Sequence, residues 1–332
     1  FLGPLYVIYK AISAIRLANK LSQLHPNKKF VPVFWMAGED HDFEEISYIN
    51  LFNKQIKWDK PENFHGPVGR LKTDSLLPLL EEIKSILGPN YQNTYLLEVF
   101  EKAYSTQSNL NDATRYIINE LLGEQGLIVL DPDDIFLKSQ ISELIIKDLT
   151  TNLNSKEVID STNELLKMGY KAQLSPKEFN FFLFINNNRE RLDFLDEETL
   201  ISNVSGQKFS KSELVQLAQK NPELFSPNVI TRPMYQETIL PNLAYIGGPG
   251  EIAYWLQLKN AFINNHIDFP VLIPRDSHLI IPARVKQKMD ELELALENWF
   301  LNVSTLEENY LREQNLTFYE LQEPKNQIIR IF

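Results

Sequence analysis

Phe30-Val31-Pro32-Val33-Phe34-Trp35-Met36-Ala37 runs without a charge straight into Gly38-Glu39-Asp40-His41-Asp42-Phe43-Glu44-Glu45. An unbroken apolar run of this length reads as a strand buried on both faces, with Pro32 confined to its start because it lacks a donor for the ladder. The abrupt change to acids and an imidazole is the pattern of an α/β sheet, where ligands gather at the carboxyl ends of strands. An antiparallel strand with one wet face would alternate instead.

The pattern recurs downstream. Leu127-Ile128-Val129-Leu130 is a second buried run that ends at Asp131-Pro132-Asp133-Asp134, and a helix is predicted from about residue 135 to 152. Upstream, Ile8, Ile12, Ile15, Ala18 and Leu21 mark a helix over 5–24, stopped by His25-Pro26-Asn27. Residues 75–122 read as mostly helical with a break at Gly88-Pro89. Helix, strand, acidic loop and helix in repetition predict a parallel sheet with right-handed crossovers.

The character changes between about Tyr170 and Phe209. Phe179 to Ile185 is strand-like, Asn186-Asn187-Asn188 is a turn signal and Arg191 to Phe194 reads as the returning strand, so a small antiparallel insertion is expected. From Asn221 the chain is rich in Pro and Gly up to Gly247-Gly248-Pro249-Gly250-Glu251. A helix over 252–264 and a strand over 270–273 follow, the strand ending at Pro274-Arg275-Asp276-Ser277. In the last segment Val285, Met289, Leu292, Leu296, Trp299, Val303, Leu306 and Tyr310 alternate spacings of four and three. That spacing predicts a coiled-coil seam on one long helix, which needs a partner and points to a homodimer. The domain reading is 1–169 and 210–282 for the two parts of the parallel core, 170–209 for the insertion and 283–332 for the coiled-coil segment.

Composition narrows the function. The 332 residues are 43% hydrophobic, enough for a sizeable core, and contain no apolar run long enough to span a bilayer. Zero cysteines exclude disulfides, thiolate metal sites and a cysteine nucleophile, and fit a cytoplasmic protein. A net charge of −11 argues against broad nucleic-acid binding. The opening Phe1-Leu2-Gly3-Pro4, with no methionine, reads as a cut from a longer chain.

Four groups of residues carry candidate chemistry. Asp40, His41 and Asp42 sit where the first strand ends and fit acid–base work, metal binding or the holding of an amine; capping of a following helix is the alternative. The glycines Gly247, Gly248 and Gly250 precede a helix whose N-terminus suits a carboxylate or phosphate, although the spacing is neither that of a dinucleotide fold nor that of a Walker loop. Lys208-Phe209-Ser210-Lys211-Ser212 resembles the KMSKS loop of class I aminoacyl-tRNA synthetases, but Ser210 and Glu213 form a capping box that explains it. Arg232 and Arg275, each beside a proline, are placed to grip a carboxylate. His65 is a weak candidate. No nucleophile elbow supports a serine triad.

Taken together, four stretches resemble the bacillithiol biosynthesis cysteine-adding family, BshC: Gly3-Pro4-Leu5-Tyr6 to Lys10, Pro32 to Phe43, Arg232-Pro233 to Leu240-Pro241, and Ala244 to Trp255, with Pro274-Arg275-Asp276-Ser277 as a further match. The resemblance implies a Rossmann-like core related to class I synthetases and nucleotidyltransferases, a connecting insertion and a carboxyl-terminal coiled coil. It implies a carbon–nitrogen ligase that joins the cysteine carboxyl to the amine of glucosamine-malate. The acid must be activated, through an adenylate or acyl phosphate; whether ATP or another cosubstrate does so, and whether a metal takes part, these residues do not say. On this reading Asp40, His41 and Asp42 are the catalytic candidates. Arg232, Gly247, Gly248, Gly250, Glu251, Tyr254, Arg275 and Ser277 form the substrate-binding set. The match lacks both family ends, so the chain reads as a fragment. Two other readings compete: an adenylate-forming nucleotidyltransferase acting on another carboxylate, and a non-catalytic dimeric coiled-coil binding protein.

Overall fold

The computed structural model describes residues 5–40, 42–61, 64, 66–88 and 94–314. They separate into two compact units, residues 1–276 and 277–332. In chain order the first unit opens with helix α1 (Tyr6–Leu24), strand β1 (Val33–Trp35) and the hairpin β2 (Tyr48–Leu51) and β3 (Lys54–Lys57). Helices α2 (Leu77–Leu87), α3 (Thr94–Thr106) and α4 (Leu110–Leu122) lead to β4 (Ile128–Leu130). Then come α5 (Ile135–Lys138), α6 (Ser142–Thr151) and α7 (Leu153–Lys167).

β1 and β4 pair in parallel, Val33 opposite Ile128 and Trp35 opposite Leu130. The acidic segments that follow the two strands therefore lie side by side. Asn109 caps α4 by accepting from the Asp112 N–H at 2.8 Å, and α4 packs against β4 with Ile118 and Leu122 in the same apolar cluster as Ala11 and Ile15 of α1. The hairpin β2–β3 has no counterpart in the sequence reading.

An antiparallel sheet follows: β5 (Phe181–Ile185), β6 (Asn188–Phe194), β7 (Thr199–Ser202), β8 (Lys208–Ser210) and β9 (Phe225–Pro227), in the spatial order β8-β7-β6-β5-β9. Asn186 and Asn187, with φ of 50° and 66°, make the two-residue turn between β5 and β6 that the asparagine run signalled. Between β8 and β9, α8 (Lys211–Lys220) begins in the expected capping box, with Glu213 N–H donating to Ser210 Oγ at 3.2 Å and Ser210 N–H to Glu213 Oε2 at 2.8 Å. A helix start accounts for the lysine–serine run.

The unit closes with α9 (Thr231–Ile239), β10 (Ala244–Gly247), α10 (Pro249–Gln257), α11 (Lys259–Asn264) and β11 (Val271–Pro274). α9 was hidden by the prolines around it; Pro233 falls in its first turn, where a missing N–H costs nothing. β10 and β11 form a second parallel pair. The parallel layer is thus two pairs, β1–β4 and β10–β11, with no direct pairing of β1 to β10 among the described residues.

The largest core cluster joins α6, α7, the antiparallel sheet, α9, α10 and α11 around Trp255, Tyr235, Phe225 and Phe262. Asp148 is buried inside it and accepts from Asn180 N–H at 2.6 Å and Asn154 Nδ2 at 2.8 Å, tying α6 to α7 and the sheet.

In the second unit the expected single long helix is replaced by α12 (Ala283–Glu291), a short 3-10 segment (Leu296–Phe300) and α13 (Val303–Gln314). Glu293 adopts φ 54° and Ala295 is extended, which ends the first helix, and Asn302 starts the last by accepting from Thr305 N–H at 2.9 Å. Half of the predicted seam, Leu292, Trp299, Leu306 and Tyr310, collapses together with Leu294 into one cluster. That half of the stripe packs within the segment, while Leu296 and Val303 stay exposed.

Burial raises the Asp148 carboxyl to about 6, against the hydrogen bonds of its asparagine partners. A group raised in the folded state contributes stability below its unfolded pKa and loses it as pH climbs through the folded value. Relative to Asp148→Asn, the protein is therefore expected to lose roughly 3 kcal/mol of stability between about pH 4 and 6. Urea unfolding across that range checks it; parallel pH profiles for the two proteins would contradict the assignment.

Candidate functional site

The carboxyl ends of β1 and β4 are built around a buried ammonium. Asp134 caps α5 by accepting from Phe136 and Leu137 N–H at 2.9 and 3.2 Å, and one turn later Lys138 faces back under the strand ends with 0% of its side chain exposed. Its Nζ lies 2.6 Å from Glu39 Oε1 and 3.0 Å from Asp133 Oδ1, and rests 4.8 Å from the centre of the Phe184 ring. Arg70 grips Asp133 with both arms of its guanidinium, Nε at 2.7 Å and Nη2 at 2.8 Å, and covers the same ring. Burial pushes Asp133 up, but Arg70 and Lys138 outweigh it and hold the carboxyl below its usual range. For Glu39 burial wins over Lys138, and its carboxyl is raised.

Beside this cluster is a small cavity of about 190 Å³ bordered by Gly69, Arg70, Asn111, Asp131 and Asp133. Asn111 Nδ2 donates to Asp131 Oδ2 at 2.9 Å, and its amide is wedged between two glycines. A Cβ on Gly38 or Gly69 would stand 2.2 or 2.0 Å from Asn111 Oδ1, so both positions exclude a side chain.

A second group assembles where α1, α9, β10 and α10 meet. Glu251 receives Lys10 Nζ at 2.6 Å, Tyr245 Oη at 2.7 Å and the Gly248 N–H at 2.8 Å. The anion at the start of α10 is thus the chain's own carboxylate. Arg232 donates to Gln236 Oε1 at 3.1 Å and reaches Tyr254 Oη at 3.4 Å. Arg275 lies 4.0 Å over the Tyr6 ring, and its N–H donates to Gly247 O at 2.8 Å. Burial lowers the Lys10 ammonium; Glu251 opposes this, while Arg232 and Arg275 add to it. Three cations around one carboxylate leave the group net positive. Lys10, Arg232, Glu251 and Tyr254 border a cavity of about 540 Å³ whose remaining wall is largely apolar.

The family model described as "Bacillithiol biosynthesis BshC, N-terminal Rossmann-like domain" matches residues 1–276. The chain belongs to the BshC family. It is 42% identical over 306 residues to a protein of Flavobacterium johnsoniae named "Putative cysteine ligase BshC", covering 92% of this chain and 57% of that protein. Proteins of the same name from Flavobacterium psychrophilum (39% identical, covering 100% of this chain and 62% of the relative) and Christiangramia forsetii (38%, covering 91% and 56%) are also similar. The chain spans somewhat under two thirds of each of these BshC proteins.

Within this BshC chain, the substrate-binding candidates Arg232, Glu251, Tyr254 and Arg275 converge, together with the Gly247–Gly248 backbone. Gly250 stands with open space where a Cβ would be. Ser277 opens the second unit. Of the catalytic candidates, Asp40 and Asp42 are exposed, and Asp42 accepts from the Glu44 N–H at 3.1 Å, the helix-capping alternative; His41 and the weak candidate His65 lie outside the described residues. Among the described acidic residues of that segment, Glu39 is the buried one, at 8% exposure. Sequence reasoning counted Glu39 in the acidic cluster but gave it no role, and passed over Asp133, Lys138, Arg70 and Lys10. The acidic loop at 131–134 was the signal for Asp133; a lysine four residues past a loop carries none. α9 links the two groups, for Arg232 faces Tyr254 while Tyr235 donates to Pro132 O at 2.7 Å and meets Trp35 edge-on.

Replacing Lys138 with Met would leave Glu39 and Asp133 buried without their ammonium, at a cost of about 3–5 kcal/mol. Chemical denaturation measures it; a loss below about 1 kcal/mol would show that the pair is not held by this charge.

Proposed function

We propose that this chain carries the substrate-binding core of a carbon–nitrogen ligase that adds cysteine to glucosamine-malate in bacillithiol biosynthesis, the last step of the pathway. The supporting observation is the net-positive group Lys10, Arg232 and Arg275 around Glu251. A malyl group brings carboxylate charge, and paired cations on rigid elements with a tyrosine hydroxyl beside them match it. Glu251 holds Lys10, and Arg232 and Arg275 add positive charge to the same group.

On this reading the other group serves the amine side. Asp40 and Asp42, exposed beside the buried Glu39, offer carboxylates to the cysteine ammonium or to the proton leaving the attacking amine. Amide formation from a carboxylate needs the acid activated first. The chain's own contribution is to hold two small polar molecules in register, which by itself is worth several powers of ten in rate. The family membership and the names of the relatives support the ligase reading. The dimeric coiled-coil scaffold reading draws less support from the stripe, half of which packs within its own segment.

In cells lacking the gene, bacillithiol is expected to disappear while glucosamine-malate accumulates; unchanged bacillithiol would sink the proposal. In the full-length protein, Arg232→Ala is expected to raise KM for glucosamine-malate about 10- to 100-fold, the weight of a charge-assisted hydrogen bond, with a smaller effect on KM for cysteine. Equal effects on both substrates would remove Arg232 from the malyl site.

A further inference from the structure

The smaller cavity, about 190 Å³, lies where α4 meets the end of β4. At about 30 Å³ per water it holds about six, the bulk of a small polar molecule and too little for a sugar conjugate or a nucleotide. Its border is charged, so its chemistry depends on which charges are already answered. Asp133 is held by Arg70 and Lys138. Asp112 takes Arg115 Nη2 at 2.5 Å and Asn109 Nδ2 at 2.7 Å, and Asp134 is occupied by the α5 cap. Asp131 differs. Its side-chain oxygens accept from the Asp133 N–H at 3.0 Å and from Asn111 Nδ2 at 2.9 Å, both neutral donors, and it has no ion pair among the described residues. Burial raises its carboxyl ahead of the hydrogen bonds that lower it, so the partner its charge calls for is a cation.

A second acceptor stands beside it. Asn111 borders the same cavity and is 5% exposed, and its Oδ1 has no hydrogen-bond donor among the described residues. A buried amide oxygen left unpaired costs about 1–3 kcal/mol, which a donor entering from the cavity offsets. One turn along the same face of α4 is Arg115, half-exposed, with one arm on Asp112 and its other N–H groups without a partner among the described residues. An inorganic cation or a plain amine would use the two acceptors and leave the guanidinium idle. A molecule with an ammonium and a carboxylate on one carbon uses both. We propose that this cavity is the site of a small free α-amino acid, its ammonium taken by Asp131 and Asn111 Oδ1 and its carboxylate by Arg115. That the amino acid is cysteine rests on the ligase reading above; the two-ended grip does not. Because Arg115 is half-exposed, the carboxylate it holds stays open to the activation that amide formation requires. With the cysteine ammonium held here, Asp40 and Asp42 keep the proton of the attacking amine as their task. The cavity adjoins their segment, for Val68 N–H donates to Asp40 O at 2.7 Å and Gly69 N–H to Gly38 O at 3.1 Å.

Calorimetric titration of the full-length protein with L-cysteine, cysteamine and mercaptopropionate, with and without glucosamine-malate, tests this without turnover. L-Cysteine is expected to bind at least about tenfold more tightly than either analogue, one of which lacks the carboxylate and the other the ammonium. Asp131→Asn and Arg115→Gln are each expected to weaken L-cysteine about 10- to 100-fold, with the melting temperature and the binding of glucosamine-malate unchanged. Cysteine binding unaltered in both variants, cysteamine binding as tightly as cysteine, or no cysteine binding under either condition overturns the proposal. Should Asp131→Asn not fold, Arg115→Gln, at a half-exposed position, decides alone. The ligase reading falls or stands separately, on bacillithiol in cells lacking the gene: unchanged bacillithiol together with cysteine binding that is lost in both variants would remove that reading and uphold the amino-acid site.

Discussion

A lysine with no exposed surface, Lys138, holds the carboxyl ends of β1 and β4 together. An ammonium taken out of water is tolerated only when fully paired, and the pairing here draws on Glu39 after β1, Asp133 after β4 and the carbonyl of Glu223 ahead of β9. Because those partners come from three separate parts of the chain, the charge fixes how they dock. Phe184 of the antiparallel sheet lies beneath both Lys138 and Arg70, so the sheet joins the same constraint through its aromatic face. A hydrophobic residue of similar size would fill the space without specifying which loops meet there.

From that centre the second polar group is one helix away. α9 turns Tyr235 toward the acidic strand ends and Arg232 toward Tyr254, so the spacing of the two polar groups is set by about one helical turn. The proposed joining of an amine to a carboxylate calls for this kind of arrangement: one polar environment for each partner, both on rigid elements. The carboxylate of Glu251 adds a further restraint. It accepts from the Gly248 N–H at the start of α10 and from Lys10, which offsets part of the repulsion among the neighbouring cations.

What could be read from residues alone was local. The strands at 33–35 and 128–130, the asparagine turn at 186–187 and the Ser210–Glu213 cap each depend on neighbours within a few positions and stand in the structure, although the two strands are only half-buried, with Ile128 exposed, where burial on both faces was expected. The ionic centre could not be read, because Arg70 and Asp133 are 63 positions apart and a lysine is ordinarily an exposed residue. Period alone also misled: a four–three stripe is compatible with a seam between helices and with a segment that folds onto itself, and only the positive φ at Glu293 and the cap at Asn302 choose between them. The glycine loop suggested an empty anion site because sequence shows the helix start but not that Glu251, three residues on, already fills it.

The account rests on the claim that the cations around Glu251 receive the acidic substrate. A crystal structure of the full-length protein with glucosamine-malate bound tests it most directly. The account predicts malyl carboxylate oxygens within hydrogen-bonding distance of Lys10 and Arg232, with the sugar amine turned toward the Glu39–Asp133 side. Carboxylates bound elsewhere, with the Lys10–Glu251 and Arg232–Tyr254 contacts unchanged from the free protein, would contradict it.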